Sequence, residues 1–187
     1  MYQLIFFFFF LLFACEDINN EPTEVVLWGQ KYLVENTLEI DLSNHQIEGN
    51  IPLEIGYLKN LSSLKLYDNN LTGFIPPEIG NLKNLEYLSL KGNQLTGSIP
   101  PEIGNMTKLT WLSLYDNKLS GSIPVEIGNL VNLTWLNLNN NNLTGIVPDQ
   151  ICNLPQVSTF LSNNNLCPPY PFCIRDFIFQ QDTSFCN

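Results

Sequence analysis

A single histidine stands among 187 residues, and Lys and Arg together number 8 against 18 Asp and Glu. One imidazole leaves little for acid–base or metal chemistry. The phrases GxSxG, HExxH and the phosphate-binding P-loop are all missing, so the common nucleophile, zincin and phosphate-transfer machineries find no support and a non-catalytic protein is expected. The few basic residues form no stripe, and a formal net charge of -10 repels phosphate backbones, which excludes nucleic acid as a partner. Membrane-length apolar runs are missing too. The longest, Leu4 to Phe13, holds ten residues and falls short of the ~20 that span a bilayer as a helix.

That run nevertheless has a use. The first 14 residues carry no charged side chain, and an apolar core of this length at an N-terminus reads as a signal peptide over 1–14. Leu12-Phe13-Ala14-Cys15, followed by Glu16 and Asp17, resembles the bacterial lipobox, in which the cysteine is lipidated and becomes the new N-terminus. The likeness implies a membrane anchor at Cys15, a tether over 15–24 and a cell-envelope lipoprotein, in the outer membrane, periplasm or cell surface. Ordinary cleavage after Ala14, leaving a secreted chain with Cys15 as a free thiol or disulfide partner, is the other reading. The remaining Cys152, Cys167, Cys173 and Cys186 form an even set crowded at one end. In an exported protein such a set implies two disulfides, with three possible pairings. CxxC spacing is absent, so neither a metal nor any other cofactor is called for.

From Leu38 to Cys167 the chain repeats every 24 residues. Gly49, Gly73, Gly97, Gly121 and Gly145 advance by that step, as do Pro52, Pro76, Pro100, Pro124 and Pro148. With the pattern LxxLxLxxNxL, this period is the leucine-rich repeat signature. Five full units and a partial sixth are expected over 37–166, after an N-terminal cap at 25–36 and before a cysteine-bearing cap at 167–187. No coil can bury its own leucines alone, so the fold expected is an α/β repeat solenoid. It is a right-handed arc with a parallel β-sheet on the concave face and turns or 3₁₀ segments on the convex face.

Within LxxLxLxx, alternation along a short strand turns the leucines inward and the intervening residues outward. At the turn leaving each strand comes the column Asn69, Asn93, Asn117, Asn141 and Asn165, whose amides can satisfy backbone groups that the bend would strand. His45 takes that slot in the first coil, a scaffold position rather than a catalytic one.

The second half of each unit, LTGxIPxEIGNLxN, resembles the plant-type leucine-rich repeat of receptor kinase ectodomains and polygalacturonase-inhibiting proteins. The closing phrase NNNLCPPYPFC is similar to the plant terminal cap, which implies a Cys167–Cys173 disulfide and leaves Cys152 to meet Cys186. The opening phrase VVLWGQKYLVENTLEIDLS resembles the plant N-terminal cap without its cysteines, so Trp28, Tyr32 and Leu33 are expected to cover the core end by apolar contact. The two caps together are similar to those of leucine-rich repeat proteins of uncultured marine bacteria.

Function is then sought among the outward residues. The first outward column reads Glu39, Ser63, Tyr87, Trp111, Trp135 and Thr159; the middle one Asp41, Lys65, Ser89, Ser113, Asn137 and Leu161; the third Ser43, Tyr67, Lys91, Tyr115, Asn139 and Asn163, with Asp68 and Asp116 beside it. Tyr67, Asp68, Tyr87, Lys91, Trp111, Tyr115, Asp116, Trp135, Asn137 and Asn139 make up the candidate ligand-binding face, since rigid aromatics edged by polar groups are the composition of a binding patch. Asp68 and Asp116 stand two coils apart, about 10 Å, at the upper end of inverting glycosidase spacing, but an open sheet offers no pocket to raise either pKa. The sequons at Asn60, Asn70, Asn105, Asn132 and Asn142 follow from the NLT phrase of the repeat and say little about glycosylation. Three readings follow: a module that binds a protein or peptide on its concave face, a glycan-binding module, and a structural spacer without ligand.

Overall fold

The structure, a computed structural model, describes residues 21–154, 157–174, 181–184 and 186; the segment 1–14 and Cys15 lie outside the described residues. Six short strands, Glu39–Asp41, Ser63–Lys65, Tyr87–Ser89, Trp111–Ser113, Trp135–Asn137 and Ser158–Phe160, pair side by side in chain order as one parallel sheet, and define coils one to six. Register is set by the middle residue of each strand. Ile40, Leu64, Leu88, Leu112 and Leu136 stack in line and are at most 2% exposed, so a one-residue slip anywhere would turn a leucine out into water. Each such leucine contributes ~2 kcal/mol by burial, and the core is one continuous column rather than separate clusters.

The asparagine column does what its chemistry predicts. Asn93 Nδ2 donates to the carbonyls of Leu66 (2.9 Å) and Leu90 (3.0 Å), while its Oδ1 accepts the Leu71 N–H (3.0 Å). One side chain thus ties backbone groups of two coils together, and Asn69, Asn117 and Asn141 repeat the pattern. His45 has no coil before it to bridge. Its ring is exposed, with Nδ1 2.6 Å from the Ser43 carbonyl.

On the convex side five 3₁₀ turns, Leu53–Tyr57, Pro77–Asn81, Pro101–Asn105, Val125–Asn129 and Asp149–Asn153, each follow a proline of the repeat column. Proline sets the extended-to-helical corner, since its φ is already near the value the turn needs. Successive turns approach closely because a glycine faces the next coil. A β-carbon at Gly104 would stand 2.5 Å from the Glu126 carbonyl oxygen, and one at Gly128 2.5 Å from that of Gln150.

The last coil departs from the 24-residue step. Trp135 pairs with Ser158 and Leu136 with Thr159, a step of 23, so one residue is lost between Leu154 and Ser158. Thr159 and Leu161, expected to face out, are therefore buried at 8% and 0% exposure, and the outward positions pass to Ser158, Phe160 and Ser162. The asparagine column shifts with them. Asn164, not Asn165, donates to Leu138 and Leu161 and accepts the Leu143 N–H. Asn165 instead opens the strand Asn165–Cys167, which pairs with Asn142–Ile146 in a second sheet flanking the first.

Both ends are closed differently from expectation. At the N-terminus a hairpin of Glu24–Leu27 and Gln30–Leu33 buries Val25 and Leu27, with Trp28 and Tyr32 partly buried beside them, whereas Leu33 is 54% exposed. Strand alternation places Leu33 on the same side as its partner Glu24, away from the core. At the C-terminus the disulfides are Cys152–Cys173 and Cys167–Cys186, with Cα separations of 5.7 and 5.5 Å. The Cys167–Cys173 and Cys152–Cys186 pairings are thus overturned. Cys167 is held in the flanking sheet opposite Ile146, whereas a turn closed by the Ile174 N–H on Pro171 buries Ile174 in the core and carries Cys173 to the last 3₁₀ turn. The returning chain bridges Gln181 to Asn164 and so brings Cys186 to Cys167. Cys152 occupies the glycine slot of the convex turns. With no coil behind it, the slot has room for a side chain there and nowhere else.

Candidate functional site

Parallel sheets are almost always covered on both faces. In this solenoid the inner face lies on the core, and among the described residues no other element packs over the concave face.

Its centre is a stack of rings. Tyr87, Trp111 and Trp135 occupy one outward column of adjacent strands, where the ~4.8 Å strand spacing places flat side chains at stacking distance. Ring centroids are 5.5 Å apart for Tyr87 and Trp111 and 4.5 Å for Trp111 and Trp135, with planes 15° and 3° from parallel. Phe160 extends the stack, 4.6 Å from Trp135 at a tilt of 41°. Column counting missed Phe160, because the shortened last coil moves it from an inward to an outward position; the leucine at Leu161 was the signal that could have shown it. All four rings are half-buried. Each inner ring has both faces covered by its neighbours, so the stack presents edges to solvent. The indole N–H of Trp111 is buried and finds no hydrogen-bond partner among the described residues.

Beside the rings stand two lysine bridges. Lys65 Nζ lies 3.4 Å from the Asp41 carboxylate in the coil before and 5.9 Å from the ring centroid of Tyr87 in the coil after. Lys91, in the third column one coil on, also bridges its neighbours, 3.5 Å from Asp68 at the rim of the coil before and 5.9 Å from the Tyr115 centroid in the coil after. The Asp41 carboxyl is held below its usual pKa first by the Ser43 hydroxyl at 2.6 Å, then by the Ser43 N–H, with Lys65 adding less. Burial pushes the Tyr87 phenol up, partly offset by Lys65.

Asp68 and Asp116 stand at the rim, where the chain leaves each strand with φ of 55° and 57°. Asn44, Gly92, Asn140 and Asn163 share this left-handed corner, which Asn, Asp and Gly tolerate best. The residue type at Asp68 and Asp116 thus serves the turn, while its carboxylate remains exposed. Asn137 and Asn139 are partly spent on the scaffold: Asn137 Oδ1 accepts the Asn139 N–H, and Asn139 Oδ1 accepts the Ser162 N–H at 2.6 Å. Tyr67 is half-buried in the third column. All ten candidate residues therefore share the concave face or its rim. Away from this face lie a cavity of about 380 Å³ between the N-terminal hairpin and the first coil, lined by Trp28, Leu42 and His45, and one of about 340 Å³ on the convex side beside Tyr57 and Glu78. Among the described residues no group of three His, Cys, Asp or Glu converges as a metal site.

A stack of coils with an open, side-chain-bearing sheet defines a repeat solenoid. Family models described as leucine rich repeat match residues 59–119 and 132–154. The ectodomain of BIR2 from Arabidopsis thaliana is 34% identical with a TM-score of 0.63, over 71% of this chain and 70% of that one. The chain belongs to the leucine-rich repeat family, in its plant-type form. It is also similar to the leucine-rich repeat ectodomain of the Arabidopsis thaliana membrane receptor kinase GASSHO1/SCHENGEN3, solved in complex with CASPARIAN STRIP INTEGRITY FACTOR 2, at 38% identity and a TM-score of 0.73 over 76% of this chain. To PEPR1, solved with AtPEP1, it is 36% identical with a TM-score of 0.74 over 81%. The chain spans only 17% and 22% of those two chains. No curated protein matches in sequence.

Proposed function

We propose that this chain is a non-catalytic binding module that holds a protein or peptide along its concave sheet. The observation that carries the reading is the row Tyr87, Trp111, Trp135 and Phe160: large, pre-stacked rings on a sheet face that no other element covers among the described residues. Rings already fixed by one another lose little entropy on binding, which is what makes aromatic anchors effective. Two structural neighbours solved with ligands, GASSHO1/SCHENGEN3 and PEPR1, support the same use of the fold.

A glycan is favoured less. Sugars stack on exposed ring faces, and the inner rungs of this row offer edges. Export is part of the proposal: the apolar leader over 1–14 and two disulfides both suit an oxidising, extracytoplasmic setting. The lipobox-like phrase at Cys15 supports a lipid anchor in a cell envelope, which mass spectrometry of the mature N-terminus tests directly.

The binding test uses the purified, disulfide-intact chain on an array of short random-sequence peptides and, in parallel, on a glycan array. Retention of peptides, lost in Trp111→Ala with the circular dichroism spectrum unchanged, is the expected result. Retention of glycans alone sinks the reading, and retention of nothing favours the spacer.

A further inference from the structure

Each of the two lysines of the concave face pairs with an aspartate of the coil before, and the rim pair Asp68–Lys91 has an equivalent place two repeats on that this chain leaves without a cation. Lys65 joins Asp41 of the coil before, and Lys91 joins Asp68 of the coil before. Asp116 lies two repeats after Asp68, at the same rim corner with nearly the same φ, 57° against 55°. Two repeats after Lys91 stands Asn139, whose Oδ1 is committed to the Ser162 N–H. Asp116 is exposed and has neither an ion pair nor a side-chain hydrogen bond among the described residues.

The surrounding charge has the same sign. Among the described residues Lys65 and Lys91 are the only basic side chains in the three outward columns and the rim, and both are engaged. Glu39 in the first column and Glu86 beside Tyr87 have no ion pair among the described residues. The face therefore has a surplus of carboxylates and no free cation with which to receive an acidic ligand.

We propose that the partner supplies the missing cation: a Lys or Arg side chain of a basic peptide segment pairs with Asp116 above Asn139, while neighbouring residues of the segment cover the ring edges of Trp111 and Trp135. This rests on the concave face being a peptide or protein site. Covering the pair removes it from water, so it gains strength that an open surface pair lacks.

The same peptide array tests it with two variants of equal charge change. Retained peptides are enriched in Lys and Arg, Asp116→Asn weakens the tightest of them about tenfold, and Glu102→Gln on the convex face leaves affinity within about twofold. Asparagine suits the left-handed corner, so Asp116→Asn folds as the parent does. Replacing the basic residue of that peptide by Gln weakens the parent by a like factor and adds nothing further in Asp116→Asn, the signature of a direct pair in a double-mutant cycle. Retained peptides without a basic excess, equal losses in the two variants, or additive losses in the cycle overturn the pairing and leave the binding module standing. If the parent retains no peptide, the binding module fails and the pairing fails with it.

Discussion

Trp111 lies against Trp135 with ring centroids 4.5 Å apart and planes 3° from parallel. The stack is built by the repeat: identical positions in adjacent parallel strands bring like side chains face to face. Trp111 is a middle rung, contacting Tyr87 on its other face. Trp111→Ala therefore removes two ring contacts and costs about 2 kcal/mol in thermal or denaturant unfolding, since each aromatic pair adds ~1 kcal/mol beyond its area. Trp111→Phe keeps a ring in the stack and deletes the partnerless N–H, so it costs less than half as much. Equal losses in the two variants would show that the stack is not what holds this face.

The asparagine column supplies a sharper check, because the sequence and the structure place its last member one residue apart. Asn117 and Asn164 each bond backbone groups of two coils, and Asn→Ala at either leaves buried carbonyls and an N–H unpaired at a cost of about 3 kcal/mol. Asn165→Ala costs less than ~0.5 kcal/mol, as a half-buried substitution away from the column. Chemical denaturation of the three variants reads this out directly. A large loss at Asn165 with none at Asn164 would restore the unbroken 24-residue step.

That one residue marks the limit of what periodicity could tell. Strands, turns, the inward leucines and the outward placement of the ten candidate residues were legible because every column of the first five coils advances in step, and Leu64, Leu88 and Leu112 allow one register only. In the sixth coil the count still returned an asparagine at 165, so nothing in the column itself signalled the slip; the burial demanded by Leu161 did. Cysteine pairing was illegible for a different reason. Cys167 and Cys173 are close in sequence, yet one belongs to the flanking sheet and the other to the convex side, and spacing along the chain carries no information about that separation. The covering of ring faces by their neighbours is likewise a property of three dimensions, although the column order made the stacking itself foreseeable.

Non-reducing peptide mapping is expected to recover Cys152 linked to Cys173 and Cys167 linked to Cys186. Opening either by a double Cys→Ala change costs about 3 kcal/mol, since loops spanning sequence separations of 21 and 19 residues are released in the unfolded chain. Recovery of a Cys167–Cys173 peptide would mean that the cap folds as in the plant proteins.

The Asp41 carboxyl titrates below the ordinary aspartate range in a pH series followed by carboxyl-carbon NMR, because the Ser43 hydroxyl and N–H both stabilise its charged form. The sign follows from the depression: the contribution of this turn is present above the unfolded aspartate pKa and is lost as pH falls through the lower, folded value. Ser43→Ala removes the first of the two donors and moves the Asp41 midpoint up. An unmoved midpoint would assign the depression to Lys65 instead, which Lys65→Met then tests.

On the convex face, two members of one column carry opposite expectations. Gly104 faces the next coil, and a β-carbon there meets the Glu126 carbonyl oxygen at 2.5 Å, backbone against side chain with no rotamer to relieve it. Gly104→Ala forces neighbouring 3₁₀ turns apart and costs about 2 kcal/mol, in the range of an overpacked core. Cys152 holds the equivalent slot in the final turn, where no further coil approaches. In a Cys173→Ala background, Cys152→Ala and Cys152→Gly then differ by no more than the ~1 kcal/mol of glycine's backbone entropy, with alanine the more stable. The order of those two variants decides the matter: if glycine at 152 is the more stable, the slot is as crowded at the end of the stack as within it, and spare room does not explain why a cysteine is accommodated at that position.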